Sequence, residues 1–163
     1  DALTGLYNRR YFNNRVEQEF ARAKRVGFPV SIMISDLDNF KYYVDNYGHP
    51  KGDRILSELG SLVQHTVRES DIICRFGGDE FAYLLPFTSS NDAKALAERV
   101  RTNVSEYVFL KGEDKVVNLT MSIGIATFPE HGQTDEEIIG KADQALFAAK
   151  SIGKNRITIY QEV

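Results

Sequence analysis

Apolar residues recur along the chain with two kinds of spacing, which predict helices and strands. A continuous apolar run, VSIMISD at residues 30–36, is typical of a buried strand that ends in polar side chains. Apolar residues at helical spacing mark residues 52–66 and 134–150, where Thr134 and Glu137 form a candidate capping box. The same two spacings, with glycine and proline as stop signals, predict the remaining elements. The further helices are predicted at about 8–26, at 39–47 and from a cap at Asn91 or Asp92 to about 104. The further strands are predicted at 71–76, 81–85, 115–119, 121–128 and about 156–160. This order predicts an α+β fold in which helices pack on a sheet.

Length and composition indicate an ordinary globular domain. The 163 residues suit one domain, 1–163, and a net charge of -3 argues against a general nucleic-acid binder. The one cysteine, Cys74, lies in a predicted strand and excludes a disulfide framework, which favours a reducing, cytoplasmic setting. No apolar run has membrane-spanning length and no signal peptide is visible, so we expect no membrane contact by this domain. Because the chain opens on Asp1 without methionine, we expect a domain of a larger protein, which leaves room for a membrane anchor elsewhere.

The stretch RFGGDEF at residues 75–81 allows two interpretations. A glycine-rich pair between two strands is an ordinary hairpin signal, and the acidic tip is then only solvated. Alternatively, Asp79 and Glu80 meet Asp36, at the end of the first strand, in a metal site. Mg²⁺ prefers carboxylate and phosphate oxygens, and Gly77 and Gly78 have no Cβ to keep a phosphate away from the backbone. The local pattern alone leaves both interpretations open.

Six segments give the chain a family resemblance: DALTGLYNRRYF at 1–12, SDLDNFK at 35–41, GHPKGDRIL at 48–56, RFGGDEFAYLL at 75–85, SIGIATFP at 122–129 and KADQALFAAKSIGKNR at 141–156. In this order they resemble the GGDEF domain, the diguanylate cyclase family. The resemblance implies a palm-like fold, akin to adenylyl cyclases and polymerases, with a central and mainly antiparallel sheet. It also implies an activity, the condensation of two GTP molecules into cyclic di-GMP and two pyrophosphates. A homodimer would hold one GTP in each subunit, under the control of a covalently linked upstream sensor domain.

The resemblance also implies roles for residues of the acidic site. Asp36 and Glu80 would bind metal with the backbone carbonyl of Leu37, and Asp79 would be required for catalysis near the metal and the 3′-hydroxyl. We therefore expect Asp36, Asp79 and Glu80 to be catalytic and two Mg²⁺ (or Mn²⁺) ions per active site. In-line phosphoryl transfer of this kind uses the metals to activate the nucleophile and to neutralise the leaving group.

A second set of residues would hold the nucleotide. The backbone N–H groups of Asn39 and Phe40 would meet the phosphates, and Gly77 and Gly78 would let the nucleotide lie against the hairpin. The triphosphate would be bound by three lysines, Lys41, Lys150 and Lys154. The carboxylate of Asp53 would hydrogen-bond the guanine base. Many relatives have arginine at the position of Lys154, so a point charge here replaces a bidentate fork.

Residues 68–71, RESD, resemble the family's R-x-x-D product-inhibition site. Arg68 would pair with a guanine edge or a phosphate, and Asp71 with guanine N–H groups. Arg99 resembles the second arginine of that site, on a neighbouring helix. The resemblance therefore implies binding of cyclic di-GMP away from the acidic site.

One position departs from the family. Val44 stands in FKYYVDNYGH where the family has an asparagine that hydrogen-bonds guanine. Losing one neutral hydrogen bond costs on the order of 1 kcal/mol, so we expect weaker GTP binding with guanine still preferred through Asp53. An alternative hypothesis follows from the same residue: a catalytically weak or inactive domain that acts as a GTP or cyclic di-GMP receptor. A third keeps the cyclase chemistry but relaxes the choice of base.

Overall fold

The computed structural model describes residues 1–161, which form five helices and five strands. The elements in chain order are α1 Arg9–Val26, β1 Val30–Leu37, α2 Phe40–Tyr47, α3 His49–Thr66, β2 Ile72–Gly77, β3 Glu80–Pro86, α4 Ser90–Glu106, β4 Met121–Phe128, α5 Asp135–Ser151 and β5 Ile157–Ile159. Helices and strands thus form a fold of α+β type, as the sequence predicts.

The strands form one sheet in the order β2-β3-β1-β4-β5, antiparallel except for the parallel pair β4–β5. The central strand β1 carries Met33 on one face and Ile32 and Ile34 on the other, and all three are fully buried. One apolar layer holds Met33 with residues of α3 and α4, and the other holds Ile32 with residues of α1 and α5. Burial on both faces explains the continuous apolar run of the β1 sequence.

Helix α5 packs closely on β4 at Gly124. A Cβ at this position would lie 2.2 Å from both the Ala142 carbonyl oxygen and the Leu146 nitrogen, so only glycine admits the helix at this distance. The last turn of α5 then carries Lys150 to the end of β1, where its ammonium meets Asp36. This close contact therefore sets the position of a predicted phosphate ligand.

Three predicted boundaries are corrected by the structure. Residues 115–119 are not a strand: only Val117 pairs, in an isolated bridge with Phe109. The cap of α4 is Ser89, whose hydroxyl accepts from the Asp92 N–H at 3.2 Å, and not Asn91 or Asp92. Helix α3 begins at His49 rather than at residue 52. Pro50 is tolerated in the first turn, because the N–H group that proline lacks would have no partner within the helix at this position.

Two other expectations concern burial and membranes. Cys74 is fully buried on β2, and this burial raises the pKa of its thiol to about 12, as expected for a core cysteine. None of the helices within residues 1–161 combines the length and the apolar character that crossing a bilayer requires.

Candidate active site

An acidic pair forms where β1 ends beside β3. In the antiparallel register Asp36 of β1 lies opposite Glu80 of β3 and, on its other side, opposite Ser122 of β4. The carbonyl of Leu37, the last residue of β1, lies at the same edge and accepts a hydrogen bond from Lys150. The sheet and α5 together thus bring Leu37 and Lys150 into contact, although they are 113 positions apart in the chain.

The β2–β3 hairpin carries the signature residues to this edge. Gly78 and Asp79 connect the strands, with a bulge between Arg75 and Gly77 and a left-handed φ of 52° at Gly78. The Arg75 guanidinium donates to the Gly78 carbonyl at 2.8 Å and so holds the turn. A Cβ at Gly77 or Gly78 would meet no atom within 4 Å, so the space beside both glycines is open to a ligand. The predicted hairpin is confirmed, and Arg75, to which the sequence assigned no role, supports it.

The carboxyl group of Asp79 lies against Asp36. Burial, and after it the neighbouring carboxylate of Asp36, raises the pKa of Asp79 to about 8. Burial, then the charges of Asp143 and Asp36, also raises the pKa of Glu80. Three carboxyl groups at one edge therefore favour a cation or a proton among them.

Lys150 supplies the nearest positive charge. Its ammonium lies 3.0 Å from Asp36 Oδ2 and 3.4 Å from the Leu37 carbonyl oxygen, so it contacts two of the predicted metal ligands. The sequence predicts that this lysine binds phosphate, and the structure places it beside the carboxylates. The site thus already holds cation and carboxylate together at the end of β1.

The donor set of this edge suits a hard cation. Asp36 Oδ1 is buried and has no hydrogen-bond partner, so it is an orphaned acceptor that a metal would satisfy. The Leu37 carbonyl adds a second oxygen donor. Within residues 1–161 no three side chains of His, Cys, Asp or Glu converge into a metal cluster by themselves, so phosphate oxygens and water would have to complete the shell. The residues present fit Mg²⁺ bound together with a nucleotide.

A cleft of about 370 Å³ leads from the hairpin to helices α2 and α3. Its lining brings together residues predicted to read the base, bind phosphate and catalyse: Phe40, Lys41, Val44, Asp53, Gly78 and Asp79. Val44 packs closely on Gly52, because a Cβ added at Gly52 would lie only 2.8 Å from Val44 Cγ2. The cleft therefore has an apolar wall at Val44 and two carboxylates, Asp45 and Asp53, in its lining.

Lys154 and Asn39 meet on the other side of the site. The Lys154 ammonium donates to Asn39 Oδ1 at 2.8 Å, and Asn39, with a φ of 60°, is the N-cap residue of α2. The sequence predicted only a backbone role for Asn39, so this side-chain contact is an addition. Asp38, to which the sequence assigned no role, is buried just behind this pair.

The predicted inhibitory site is a closed ion pair. Arg68 donates to both carboxylate oxygens of Asp71, at 2.9 and 3.3 Å, and also to the Pro86 carbonyl and Thr88 hydroxyl of the β3–α4 turn. The hydrogen bonds that Arg68 donates to Asp71 raise the pKa of Arg68, while the Asp71 side chain itself is fully buried. Contact of Asp71 with a ligand stays a prediction, and it requires this pair to open.

Arg99 is exposed on α4, one turn before Asn103. Asn103 donates to the Thr66 hydroxyl at the end of α3, two residues before Arg68. Arg99 therefore lies on the face of α4 that borders the start of the R-x-x-D segment, which is compatible with the predicted second arginine.

Comparison with known proteins identifies the family. The model of the diguanylate cyclase GGDEF domain matches residues 1–156. The chain therefore belongs to the GGDEF family.

Individual relatives agree with this assignment. Diguanylate cyclase DosC of Escherichia coli is 38% identical over 161 residues, which are 99% of this chain and 35% of DosC. The isolated GGDEF domain of TpbB (YfiN) from Pseudomonas aeruginosa superposes with a TM-score of 0.94 at 31% identity, covering 99% of this chain and 94% of that one. The GGDEF domain of DgcB from Caulobacter crescentus, in complex with c-di-GMP, has a TM-score of 0.93 at 28% identity, covering 99% and 93%. The chain thus spans about a third of DosC and nearly all of the two structural neighbours.

Proposed function

We propose that this chain is a Mg²⁺-dependent diguanylate cyclase domain that condenses two GTP molecules into cyclic di-GMP and two pyrophosphates. The observation that carries the proposal is the cleft, because it is lined by Asp53 and Val44 at one end and by Gly78 and Asp79 at the other. A nucleotide with its base between α2 and α3 would reach the acidic edge with its phosphates. The name of DosC and the c-di-GMP complex of DgcB support the same reaction.

In this proposal two copies face each other, each with one GTP. Each 3′-hydroxyl attacks the α-phosphorus of the partner nucleotide, a new P–O bond forms, and the bond to the leaving pyrophosphate breaks. The ionised carboxylate of Asp79 takes the proton that the 3′-hydroxyl releases. Two Mg²⁺ (or Mn²⁺) ions per site, when bound, polarise the 3′-hydroxyl and neutralise the pyrophosphate.

The remaining residues bind and orient the nucleotide. Lys150 and Lys154 pair with the triphosphate, since both ammonium groups already lie at the end of β1 or beside α2. Lys41 lines the cleft and adds a third positive charge. Asp53 accepts from guanine N1–H and the 2-amino group, whereas adenine offers a lone pair at N1 that a carboxylate repels. Guanine is therefore preferred even without the usual asparagine.

Turnover of GTP, ATP and ITP, with products separated by chromatography, tests the reaction and the base preference together. We expect a cyclic dinucleotide from GTP and slower or no cyclic product from ATP. Faster turnover of ATP than of GTP would contradict the role of Asp53.

A receptor function is the second candidate, and Val44 is the observation that favours it. An apolar wall at the base end of the cleft offers guanine no hydrogen bond from this position. In this case the domain binds GTP or cyclic di-GMP without making product. GTP binding at high protein concentration, with no cyclic product formed, would favour the receptor.

We also propose product inhibition at Arg68, Asp71 and Arg99. Replacing Arg68 by alanine removes a guanidinium that also holds the β3–α4 turn, so a matched control is needed. Thr88→Val removes one of the two contacts between Arg68 and the turn and leaves the Arg68–Asp71 pair in place. We expect Arg68→Ala, and not Thr88→Val, to abolish binding of cyclic di-GMP at this site. Binding that survives in Arg68→Ala would refute the assignment.

A further inference from the structure

Asp38 is a buried carboxylate directly behind the phosphate-binding end of the site. It follows β1, is 2% exposed, and its backbone N–H donates to the Thr120 carbonyl at 2.9 Å. Its Oδ1 accepts from the Ser122 hydroxyl at 2.7 Å. Its Oδ2 accepts from the Thr120 hydroxyl at 2.6 Å and from the Asn155 backbone N–H at 2.9 Å. Three donors thus satisfy one carboxylate, which ties β1 to β4 and to the loop after α5.

The contacts of Asp38 lead to two of the three lysines that are predicted to bind phosphate. Lys150 Nζ lies 3.7 Å from Asp38 Oδ1. Asn155, whose N–H binds Oδ2, directly follows Lys154, whose ammonium binds Asn39 Oδ1. The Asp38 carboxylate therefore lies near Lys150 in space, and it binds the backbone of the residue that directly follows Lys154.

The loop that carries Lys154 needs such an anchor. Lys154 and Asn155 have φ values of 62° and 47°, both in the left-handed region that is unfavourable for residues other than glycine. The hydrogen bond from Asn155 N–H to Asp38 holds this conformation on a buried acceptor. Without it the loop could relax and the Lys154 ammonium would lose its fixed direction.

We propose that Asp38 is a positioning residue that aims Lys150 and Lys154 at the triphosphate of the bound nucleotide. The inference rests on the proposed function, because a nucleoside triphosphate is the ligand that both lysines would meet. Asp38 itself touches no substrate: its oxygens are buried and occupied by the protein. Its removal therefore weakens phosphate binding and leaves recognition of the base unchanged.

Asp38→Asn is the test variant, because an amide keeps the size and one carbonyl acceptor but loses the charge. Binding of a non-hydrolysable GTP analogue with Mg²⁺ is measured by calorimetry, and binding of guanosine, which has no phosphate, by NMR titration. We expect affinity for the triphosphate analogue to fall about tenfold, as for one lost charge-assisted hydrogen bond, with guanosine affinity unchanged. Glu58→Gln is the matched control, because Glu58 also accepts a backbone N–H, from Leu110, away from the cleft.

A double-mutant cycle tests whether Asp38 acts through Lys154. If it does, Asp38→Asn and Lys154→Met together weaken analogue binding by less than the product of their separate effects. Thr120→Val, which removes one donor to Oδ2, gives a milder version of the same test if Asp38→Asn does not fold; we expect about a threefold loss of analogue affinity there.

Three outcomes would overturn the inference. Equal losses of analogue and guanosine affinity would show a general structural role for Asp38. Unchanged affinity for the analogue in both Asp38→Asn and Thr120→Val would overturn this inference but not the proposed function. A wild-type protein that binds guanosine but not the triphosphate analogue would overturn the proposed function and this inference with it.

Discussion

Val44 is the residue at which the family resemblance leads us to expect an asparagine. Its side chain packs on Gly52, and it forms part of the cleft that also contains Asp53. Valine offers a base only van der Waals contact, so in the proposed function the recognition of guanine depends on the carboxylate at Asp53. The sequence shows the substitution, and the structure adds that Val44 shares the lining of the cleft with Asp45 and His49 as well as Asp53.

Val44→Asn should therefore strengthen GTP binding. One neutral hydrogen bond contributes about 1 kcal/mol, so we expect the KM for GTP to fall about fivefold, with little change for ATP. Val44→Ala, which removes the side chain without adding an amide, serves as the control and should give no gain. An equal gain for ATP and GTP would mean that residue 44 does not contact the base edge.

Asp79 is the residue whose ionisation is most altered by the fold. With a pKa of about 8, it holds a proton in the folded protein at pH values at which the unfolded chain has released it. The folded state then binds more protons than the unfolded state, so the free energy of unfolding falls as pH rises from about 4 to about 8.

Asp79→Asn should remove most of this pH dependence. We expect the variant, unfolded by urea in EDTA, to be more stable than the wild type at pH 8 and to change less between pH 5 and pH 8. The exposed Asp114→Asn is the control and should follow the wild type. A variant with the full wild-type slope would show that the Asp79 carboxyl is already ionised in the folded protein.

At the scale of elements, the sequence predicts the buried strand and the main helices correctly because their burial is regular. Residues 115–119 fail for a geometric reason. Only Thr120 separates them from β4, and an antiparallel pair needs a longer connection, usually of two residues. Both edges of β4 are already paired, with β1 and β5, so Val117 can bridge only to Phe109.

The start of α4 was missed although its signal is present. Ser89 stands three residues before Asp92, the spacing of a capping side chain and the N–H that it accepts. In the sequence SSNDA several residues are good caps, and propensity alone does not choose among them. The contacts of the folded chain decide the position.

Gly124 controls the packing of α5 on β4. Gly124→Ala should destabilise the protein by roughly 3 kcal/mol or more, since the methyl group would overlap the backbone of α5. Gly140→Ala is the matched change within α5, where a Cβ meets nothing, and should stabilise by up to about 1 kcal/mol. Urea unfolding measures both. If both substitutions changed the free energy of unfolding by similarly small amounts, the close contact of α5 with β4 at Gly124 would be contradicted.

At the scale of the molecule, the sheet assembles one site from distant segments. The acidic edge needs β1, the hairpin and α5, and its residues Asp36, Asp79 and Lys150 are far apart in the chain. The family resemblance predicts these members, because each lies in a recognisable segment. The ion pair between Lys150 and Asp36, the role of Asp38 and the closed state of Asp71 depend on three-dimensional contacts, so the sequence alone did not predict them.

The proposed reaction also needs two molecules, since each nucleotide must meet the one held by a second copy. The most direct measurement is the rate of cyclic di-GMP formation from GTP and Mg²⁺, followed by chromatography over a range of protein concentrations. We predict a rate per subunit that rises with concentration, two pyrophosphates released for each product, and no product from Asp79→Asn. GTP that binds at the highest concentration but yields no cyclic dinucleotide would contradict the proposal that this domain is a cyclase.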